Sequence, residues 1–206
     1  MFKRHFSQYR RMASTSEAKA ALRTEIASKL AKLTCEEKLS QSKSVFQKLM
    51  NLNAFKSSKR VSVFLSTATE IDTEPIVRKI FQDGKQCFVP RYSKAGMQMV
   101  KLASMEDWTN LPLTKWNIKQ PLLADHREDA FETGGLDLII CPGVAFTRTG
   151  DRLGHGGGYY DAYIKKLQEI QECRPATVAL AFKEQVVERL PLGPTDVTID
   201  LVLYAE

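Results

Sequence analysis

The residues with the clearest chemical potential lie in one glycine-rich segment, CPGVAFTRTGDRLGHGGGYYDAYIKKL, which spans residues 141–167. Gly154 and the glycines at 156–158 come directly before a predicted helix. Because glycine has no Cβ, this loop lets backbone N–H groups close around an anion, and the positive end of the helix dipole strengthens the same site. Arg152 adds what we expect to be a mobile positive charge. The segment predicts a phosphate cradle, with a flexible loop entering a helix as the alternative.

This loop matches neither of the common nucleotide-binding motifs. A Walker A loop would end in Gly-Lys-Ser/Thr, and a dinucleotide G-x-G-x-x-G motif would need glycine where Tyr159 stands. The three histidines form no metal-binding spacing, and the sequence has no Gly-x-Ser-x-Gly nucleophile elbow. Nucleophilic hydrolysis therefore has no support.

Other residues could complete such a site, and each has a simpler alternative. Asp161, in the first turn of the predicted helix, could hold a hydrated Mg²⁺ beside phosphates or merely favour the helix dipole. Lys19 and Arg23 are spaced i, i+4 and share a helical face, which in most helices is solvated surface. Glu70 follows a predicted strand, where α/β proteins bind ligands, or it serves the turn. Trp116 could stack on a heterocycle or pack in the core.

The elements that must position these residues alternate between helix and strand. Ser14-x-x-Glu17 and Thr34-x-x-Glu37 are capping boxes that predict two helices, the first about 17 residues long. Asp72 precedes the Thr73-Glu74-Pro75 cap of a third helix and suits turn and cap chemistry. Residues 103–135 show little periodicity and predict loops. The predicted strands are RVSVFLS, QCFVPRY, MQMVKLA, LDLIICPG, PATVALAF and IDLVLY.

These patterns predict an α/β fold with a mostly parallel central sheet and helices on both faces. The near-continuous apolar run of LDLIICPG is typical of a parallel strand covered on both sides. The chain has 206 residues, of which 43% are hydrophobic and 26% charged, which is the composition of an ordinary globular protein. We predict a single α/β domain over residues 17–206.

Charge and hydropathy argue against two classes of partner. The net charge is +6, but 26 basic and 24 acidic residues follow position 16, so the excess there is only +2. We therefore expect no nucleic-acid partner. The longest near-apolar stretch is too short for a bilayer, so we expect no membrane partner. The four cysteines are widely spaced, which indicates neither a zinc site nor a disulfide framework.

Residues 1–16 differ from the rest of the chain because they are basic and free of acidic residues. Phe2, Phe6 and Tyr9 recur at helical spacing opposite the arginines, which is typical of a mitochondrial presequence. A disordered extension is the alternative. We expect a cytoplasmic protein, with mitochondrial location as the alternative that this extension raises.

The glycine-rich segment resembles the hallmark motif of the 5-formyltetrahydrofolate cyclo-ligases, also called 5,10-methenyltetrahydrofolate synthetases. The resemblance lies in PGVAF…GDRLG-x-GGGYYD and extends over nearly the whole chain from about residue 16. Shorter matches come in the family's order. They are Lys19-x-x-x-Arg23, FLS…EIDT, VPR, WNI-x-x-P, GGLDLII, ALAFKEQ and DVTIDLVLY.

The resemblance implies an ATP-driven ring closure that converts 5-formyltetrahydrofolate to 5,10-methenyltetrahydrofolate, with release of ADP and phosphate. It implies that Arg152 and Tyr159 are catalytic and that Asp161 and Asp196 bind Mg²⁺. The reduced folate would contact Leu65, Glu70 and Trp116. The ATP-binding set would be Lys19, Arg23, Arg152, Leu153, Gly154, His155, Gly156, Gly157, Gly158, Tyr159 and Tyr160. We expect a monomer whose partners are these two small molecules.

The chain also departs from the family pattern. Thr147 stands where many members have Asp, and His155 and Gly157 stand where some animal members carry basic residues. Thr195 precedes Asp196 where His or Asn is common. These departures bear on ATP affinity more than on the reaction. An inactive relative that only binds reduced folate, and a same-fold kinase or ligase for another substrate, stay open as alternatives.

Overall fold

Strands and helices alternate along most of the chain, as the α/β prediction requires. The computed structural model describes residues 2–114 and 117–206, with side chains from Thr15 onward. The strands are β1 (Arg60–Val63), β2 (Gln86–Ser93), β3 (Gly96–Leu102), β4 (Leu138–Cys141), β5 (Ala145–Thr147), β6 (Arg152–Leu153), β7 (Ala176–Ala181), β8 (Val186–Val187) and β9 (Leu201–Tyr204). The helices are α1 (Phe2–Leu30), α2 (Cys35–Asn51), α3 (Asn53–Ser57), α4 (Glu74–Gln82), α5 (Met105–Asn110) and α6 (Tyr159–Ile170), with a 3-10 turn at Lys183–Gln185.

A six-stranded sheet in the order β3-β2-β1-β4-β7-β9 lies at the centre, with the helices around it. All neighbouring strands are parallel except β2 and β3, which form an antiparallel hairpin at one edge. Every residue of β4 is buried, as expected for the middle of a covered parallel sheet. All six predicted strands are present, and the predicted mostly parallel sheet is confirmed.

A second, smaller sheet in the order β6-β5-β8 was not predicted. Strand β5 pairs antiparallel with β6, where Phe146 faces Arg152, and parallel with β8. Its strands have only two or three residues, which is too short for a period-two pattern to show in the sequence. This sheet fixes the start of the glycine-rich segment beside the main sheet.

The helix starts show which local signals acted as predicted. The capping box of α2 forms, because Thr34 Oγ1 accepts from the Glu37 amide at 3.1 Å and the Glu37 carboxylate accepts from the Thr34 amide at 2.8 Å. Helix α4 follows Thr73 as predicted, but the Thr73 hydroxyl donates to the Phe64 carbonyl instead of capping the helix. The Asp72 carboxylate accepts from the Glu74 amide at 3.0 Å and supplies the cap.

Helix α1 is longer than predicted, since it runs from Phe2 to Leu30 without a break at Ser14. The helix start predicted at the Ser14-x-x-Glu17 box is therefore wrong. That residues 1–16 form a presequence or a disordered extension stays a prediction, and the side chains of residues 1–14 lie outside the described part. Among the helices described here, none is long and apolar enough to span a membrane. Helix α5 (Met105–Asn110) lies within residues 103–135, so the prediction of loops is wrong for this part of the segment.

Candidate functional site

The glycine-rich loop borders a cavity of about 1080 Å³. Three separate parts of the chain meet there, namely α1, the loop with the first turns of α6, and the segment that precedes β9. The lining residues are Thr15, Ser16, Lys19, Arg23, Leu153, Gly154, Gly156, Gly158, Asp161, Ala162, Lys165, Leu192, Gly193, Pro194, Thr195 and Asp196. The structure thus brings most of the predicted phosphate-binding and metal-binding residues to one place.

The loop reaches α6 through backbone conformations that favour glycine. Gly156 and Gly158 have φ angles of +111° and +66°, in the region that other residues rarely adopt. Gly158 is also the N-cap of α6 and provides no side-chain hydrogen bond, so the first N–H groups of the helix are left for a ligand. A Cβ on Gly157 would lie 2.6 Å from the Tyr159 ring, so a side chain there would displace that tyrosine.

Lys19 and Arg23 turn their shared helical face to this cavity and away from bulk solvent. The Lys19 ammonium contacts both carboxylate oxygens of Asp196, at 2.9 and 2.6 Å. Arg23 Nε donates to the Gly154 carbonyl at 2.9 Å, which ties α1 to the glycine-rich loop. The two basic side chains therefore join α1 to the other two walls of the cavity.

Arg152 is buried and fixed, so the expectation of a mobile charge is wrong. Only 4% of its side chain is exposed, and its Nη2 donates to an Asp161 carboxylate oxygen at 2.7 Å. Its Nη1 donates to the Pro142 carbonyl at 3.3 Å. A Cβ on Gly154 would lie 3.0 Å from Nη1, which places the guanidinium directly behind the loop. Arg152 thus supplies a held positive charge under the glycines.

The two carboxylates predicted to bind Mg²⁺ already accept hydrogen bonds from the protein. Asp161 Oδ1 accepts from the Val197 amide at 3.1 Å, while its other oxygen pairs with Arg152. Asp196 accepts from the Gly193 amide at 2.6 Å and from Lys19. Burial alone would raise the pKa of Asp196, but the Gly193 amide and the Lys19 ammonium hold it below its usual value.

These two carboxylates fit a divalent cation that also binds phosphate. Mg²⁺ usually takes one or two protein carboxylates and completes its shell with phosphate oxygens and water. Asp161 and Asp196 line the cavity beside the phosphate-type loop. Within residues 15–114 and 117–206, no group of three or more His, Cys, Asp or Glu side chains forms a metal cage. The arrangement therefore suits a metal that arrives with a phosphorylated ligand.

Glu70 lies next to the glycine-rich loop. One of its carboxylate oxygens accepts from the amide and the hydroxyl of Thr67, both at 2.9 Å, so the predicted role in the turn is real. The other oxygen lies 3.8 Å from Nε2 of His155 on the glycine-rich loop. Only 11% of the Glu70 side chain is exposed. Leu65, just after β1, is buried, and Trp116 lies outside the described residues.

A group of tyrosines beside Glu70 was only partly predicted. The rings of Tyr92 and Tyr159 meet edge to face with their centres 5.2 Å apart. Tyr92 was missed, although its position near the carboxyl end of a predicted parallel strand is the signal that could have found it. Burial raises the pKa of Tyr160 well above its usual value, so this phenol stays protonated. Tyr159 keeps 40% of its surface exposed.

The departures from the family pattern fall at different places. Thr147 is buried, and its hydroxyl accepts from the Asp151 amide at 3.0 Å, so it holds the hairpin between β5 and β6. His155 keeps 66% of its side chain exposed. Thr195 lines the cavity next to Asp196. Of these three residues, Thr195 is the one that lines the cavity.

Comparison with known proteins assigns a family to this arrangement. The sequence model of the 5-formyltetrahydrofolate cyclo-ligase family matches residues 15–205. A mouse 5-formyltetrahydrofolate cyclo-ligase is 47% identical over 94% of this chain and 96% of its own. A probable 5-formyltetrahydrofolate cyclo-ligase from Caenorhabditis elegans is 39% identical over 94% and 95%. The solved structure of Aquifex aeolicus 5,10-methenyltetrahydrofolate synthetase superposes with a TM-score of 0.72 at 28% identity, covering 90% of this chain and 89% of its own.

Proposed function

Because this chain belongs to the 5-formyltetrahydrofolate cyclo-ligase family, we propose that it closes 5-formyltetrahydrofolate to 5,10-methenyltetrahydrofolate with ATP as the co-substrate. ADP and phosphate are the other products. ATP occupies the cavity lined by Lys19, Arg23 and the glycine-rich loop. The reduced folate binds beside it, against Glu70.

The observation that carries this proposal is the convergence of distant charged groups on a single cavity. Lys19 and Arg23 come from the first helix, the glycines precede α6, and Asp196 precedes the last strand. Helix N–H groups, basic side chains and carboxylates suited to a cation are the groups that phosphoryl transfer requires. A flexible loop at a helix entry would not need these partners.

The chemistry follows from the poor leaving ability of a formyl oxygen. Transfer of the γ-phosphoryl group to that oxygen gives an iminium phosphate. N10 attacks its carbon and loses its proton to solvent, and phosphate then leaves with the former formyl oxygen. The chain needs no nucleophile of its own, because positioning and charge neutralisation lower the barrier. Arg152, held behind Gly154, stabilises negative charge on the transferred group from a fixed position. Tyr159, at the start of α6, is the second catalytic residue of this proposal and keeps 40% of its surface exposed.

Asp161 and Asp196 are the residues that would hold Mg²⁺ in this proposal. The metal supplies charge neutralisation on the phosphates when it is bound. The Lys19 ammonium pairs with Asp196, so it would have to leave that carboxylate for Asp196 to hold the metal. The ammonium would then bind a phosphate, and the oxygens of Asp196 would be free for the metal.

The folate side of the proposal rests on Glu70. One carboxylate oxygen of Glu70 accepts from Thr67, so the carboxylate keeps one orientation. Its other oxygen lies near His155 on the glycine-rich loop. A carboxylate is the natural acceptor for the N–H groups of a pterin ring. Leu65 and Trp116 would cover the ring as apolar neighbours. The substrate is thus inferred from the family, and the geometry supports Glu70 as the residue that would hold it.

The remaining partner assignments also belong to this proposal. The protein acts on small molecules as a monomer, without a nucleic-acid or membrane partner. It works in the cytoplasm unless residues 1–16 direct it to mitochondria.

The test is the appearance of the methenyl chromophore when 5-formyltetrahydrofolate, ATP and Mg²⁺ are mixed with the protein. We expect absorbance of the product to grow in step with ADP, at one ADP for each folate, and to need all three additions. Folate binding without any chromophore would identify an inactive folate-binding relative. ADP release with another acceptor, but not with this folate, would identify a ligase or kinase with a different substrate.

A further inference from the structure

Residues 193–197, which we call the 193–197 turn, form a wall of the cavity opposite the glycine-rich loop. The Gly193 amide donates to the Asp196 carboxylate at 2.6 Å, and the Asp196 amide donates to the Gly193 carbonyl at 3.3 Å. The turn is therefore closed by two internal hydrogen bonds. The place of Asp196 in the cavity depends on the Lys19 ammonium, which contacts its carboxylate directly, and on the groups that hold this turn.

Helix α6 holds the 193–197 turn at two points. Asp161 Oδ1 accepts from the Val197 amide at 3.1 Å. Lys165 Nζ donates to the Thr195 carbonyl at 2.9 Å and to the Pro194 carbonyl at 3.4 Å. Asp161 and Lys165 are spaced i, i+4 and so lie one above the other on the same helical face. Asp196 lies between the two held points.

Lys165 is not an ordinary surface lysine. It is half-buried and lines the cavity, whereas its neighbour Lys166 is exposed and lies over the Phe131 ring at 4.7 Å from its centre. The partners that the structure gives to the Lys165 ammonium are carbonyl oxygens, which fix its position without neutralising its charge. It therefore orients the turn and leaves a positive charge at the cavity wall.

We propose that Lys165 is a positioning residue that holds Asp196 where a metal–nucleotide complex needs it. The inference rests on the proposed function, because it gives Asp196 its metal. Lys165 acts through the backbone of the turn and need not touch the nucleotide. Loss of its ammonium would free the Pro194–Thr195 end of the turn, while Asp161 would still hold the other end at Val197.

The experiment compares Lys165→Met, Lys165→Arg and the matched control Lys166→Met with the wild-type protein. Calorimetry measures the affinity for the imido analogue of ATP, which is not hydrolysed, in Mg²⁺ and in EDTA. Hydrogen exchange measures protection of the amides of Thr195, Asp196 and Val197. The KM for 5-formyltetrahydrofolate and the melting temperature report on the folate site and on folding.

For Lys165→Met we expect roughly tenfold weaker binding in Mg²⁺, little change in EDTA, and faster exchange in the 193–197 turn. Lys165→Arg should restore most of the affinity in Mg²⁺ and most of the amide protection in the turn. Lys166→Met should match the wild type in both measurements. Equal weakening with and without Mg²⁺ would mean direct phosphate contact and overturn the positioning role, as would unchanged exchange in the turn. If the wild type itself failed to bind the analogue, the proposed function would fall, while exchange would still decide whether Lys165 holds the turn.

Discussion

The Lys19 ammonium and the Asp196 carboxylate are separated by 177 residues in the chain and lie 2.6 Å apart across the cavity. Less than one-fifth of each side chain is exposed, with 19% for Lys19 and 16% for Asp196. The pair therefore joins α1 to the 193–197 turn. In the proposed reaction both members change partners, so each should matter more to nucleotide binding than to folding.

Lys19→Met and Arg23→Ala should each lower kcat/KM for ATP by roughly 10- to 100-fold, because a charged hydrogen bond to phosphate is worth about 1.5–3 kcal/mol. The KM for the folate should stay near the wild-type value. Steady-state kinetics with varied ATP measure both effects. Lys29→Met is the matched control, since this α1 lysine pairs with the exposed Glu25. Wild-type ATP kinetics in both site variants would show that their helical face does not bind nucleotide.

Asp161→Asn should have two separable effects. The buried Arg152 guanidinium loses its carboxylate, so we expect the free energy of unfolding to fall by about 1–3 kcal/mol, as measured in urea. The Mg²⁺ activation curve should also shift to higher concentration, with a steep loss of kcat.

A matched control separates these two effects. Asp137 accepts from the amides of Lys59 and Arg60, at 2.7 and 2.8 Å, far from the cavity lining. Asp137→Asn should lose stability and keep the wild-type Mg²⁺ curve. If Asp161→Asn also kept that curve, Asp161 would be only the partner of Arg152.

Glu70→Gln should weaken binding of 5-formyltetrahydrofolate by roughly 10- to 100-fold and leave ATP binding unchanged. The amide oxygen can still accept from Thr67, so the turn after β1 should hold. Calorimetry with each ligand alone measures both affinities. Glu74→Gln, on the exposed start of α4 and paired with Arg78, is the control. A loss of ATP affinity with normal folate binding would remove Glu70 from the folate site.

The pair formed by Asp107 and Arg127 should make stability depend on pH. Hydrogen bonds from Arg127, at 2.6 and 2.8 Å, hold the pKa of Asp107 below its ordinary value. A lowered pKa in the folded protein adds stability that is complete above the unfolded pKa and is lost as pH falls through the folded one. Asp107→Asn should therefore be less stable than the wild type at pH 7, and the gap should shrink below about pH 4. A gap that is constant across this range would contradict the charge-based explanation.

The sequence predicted the main sheet well because its strands are long enough to show a pattern. Each of the six predicted strands exists, and the capping box of α2 forms between the two residues that carry it. The short strands of the second sheet have no period to read, so their pairing depends on contacts between distant segments. Helix α1 passes through Ser14 since a capping box only competes with continued helix and does not forbid it.

The site was predicted less completely than the fold, because spacing along the chain shows only local neighbours. The i, i+4 spacing of Lys19 and Arg23 gave their common face but not its partner Asp196. Arg152 has the sequence context of an exposed loop arginine, and only the packing of β6 against β5 shows that it is buried. Lys165 was missed, although it follows Asp161 by one helical turn.

The walls of the cavity are synthesised at different times, because they come from distant parts of the chain. Ribosomes add about 5–20 residues per second, so Asp196 is added to the chain about 2–8 s after Gly154. During that interval the nascent protein has its glycine-rich loop and Arg152 but lacks the wall that precedes β9. An unfinished chain therefore lacks one wall of the cavity, and under the proposed function binding of a nucleotide would report that synthesis has passed Asp196.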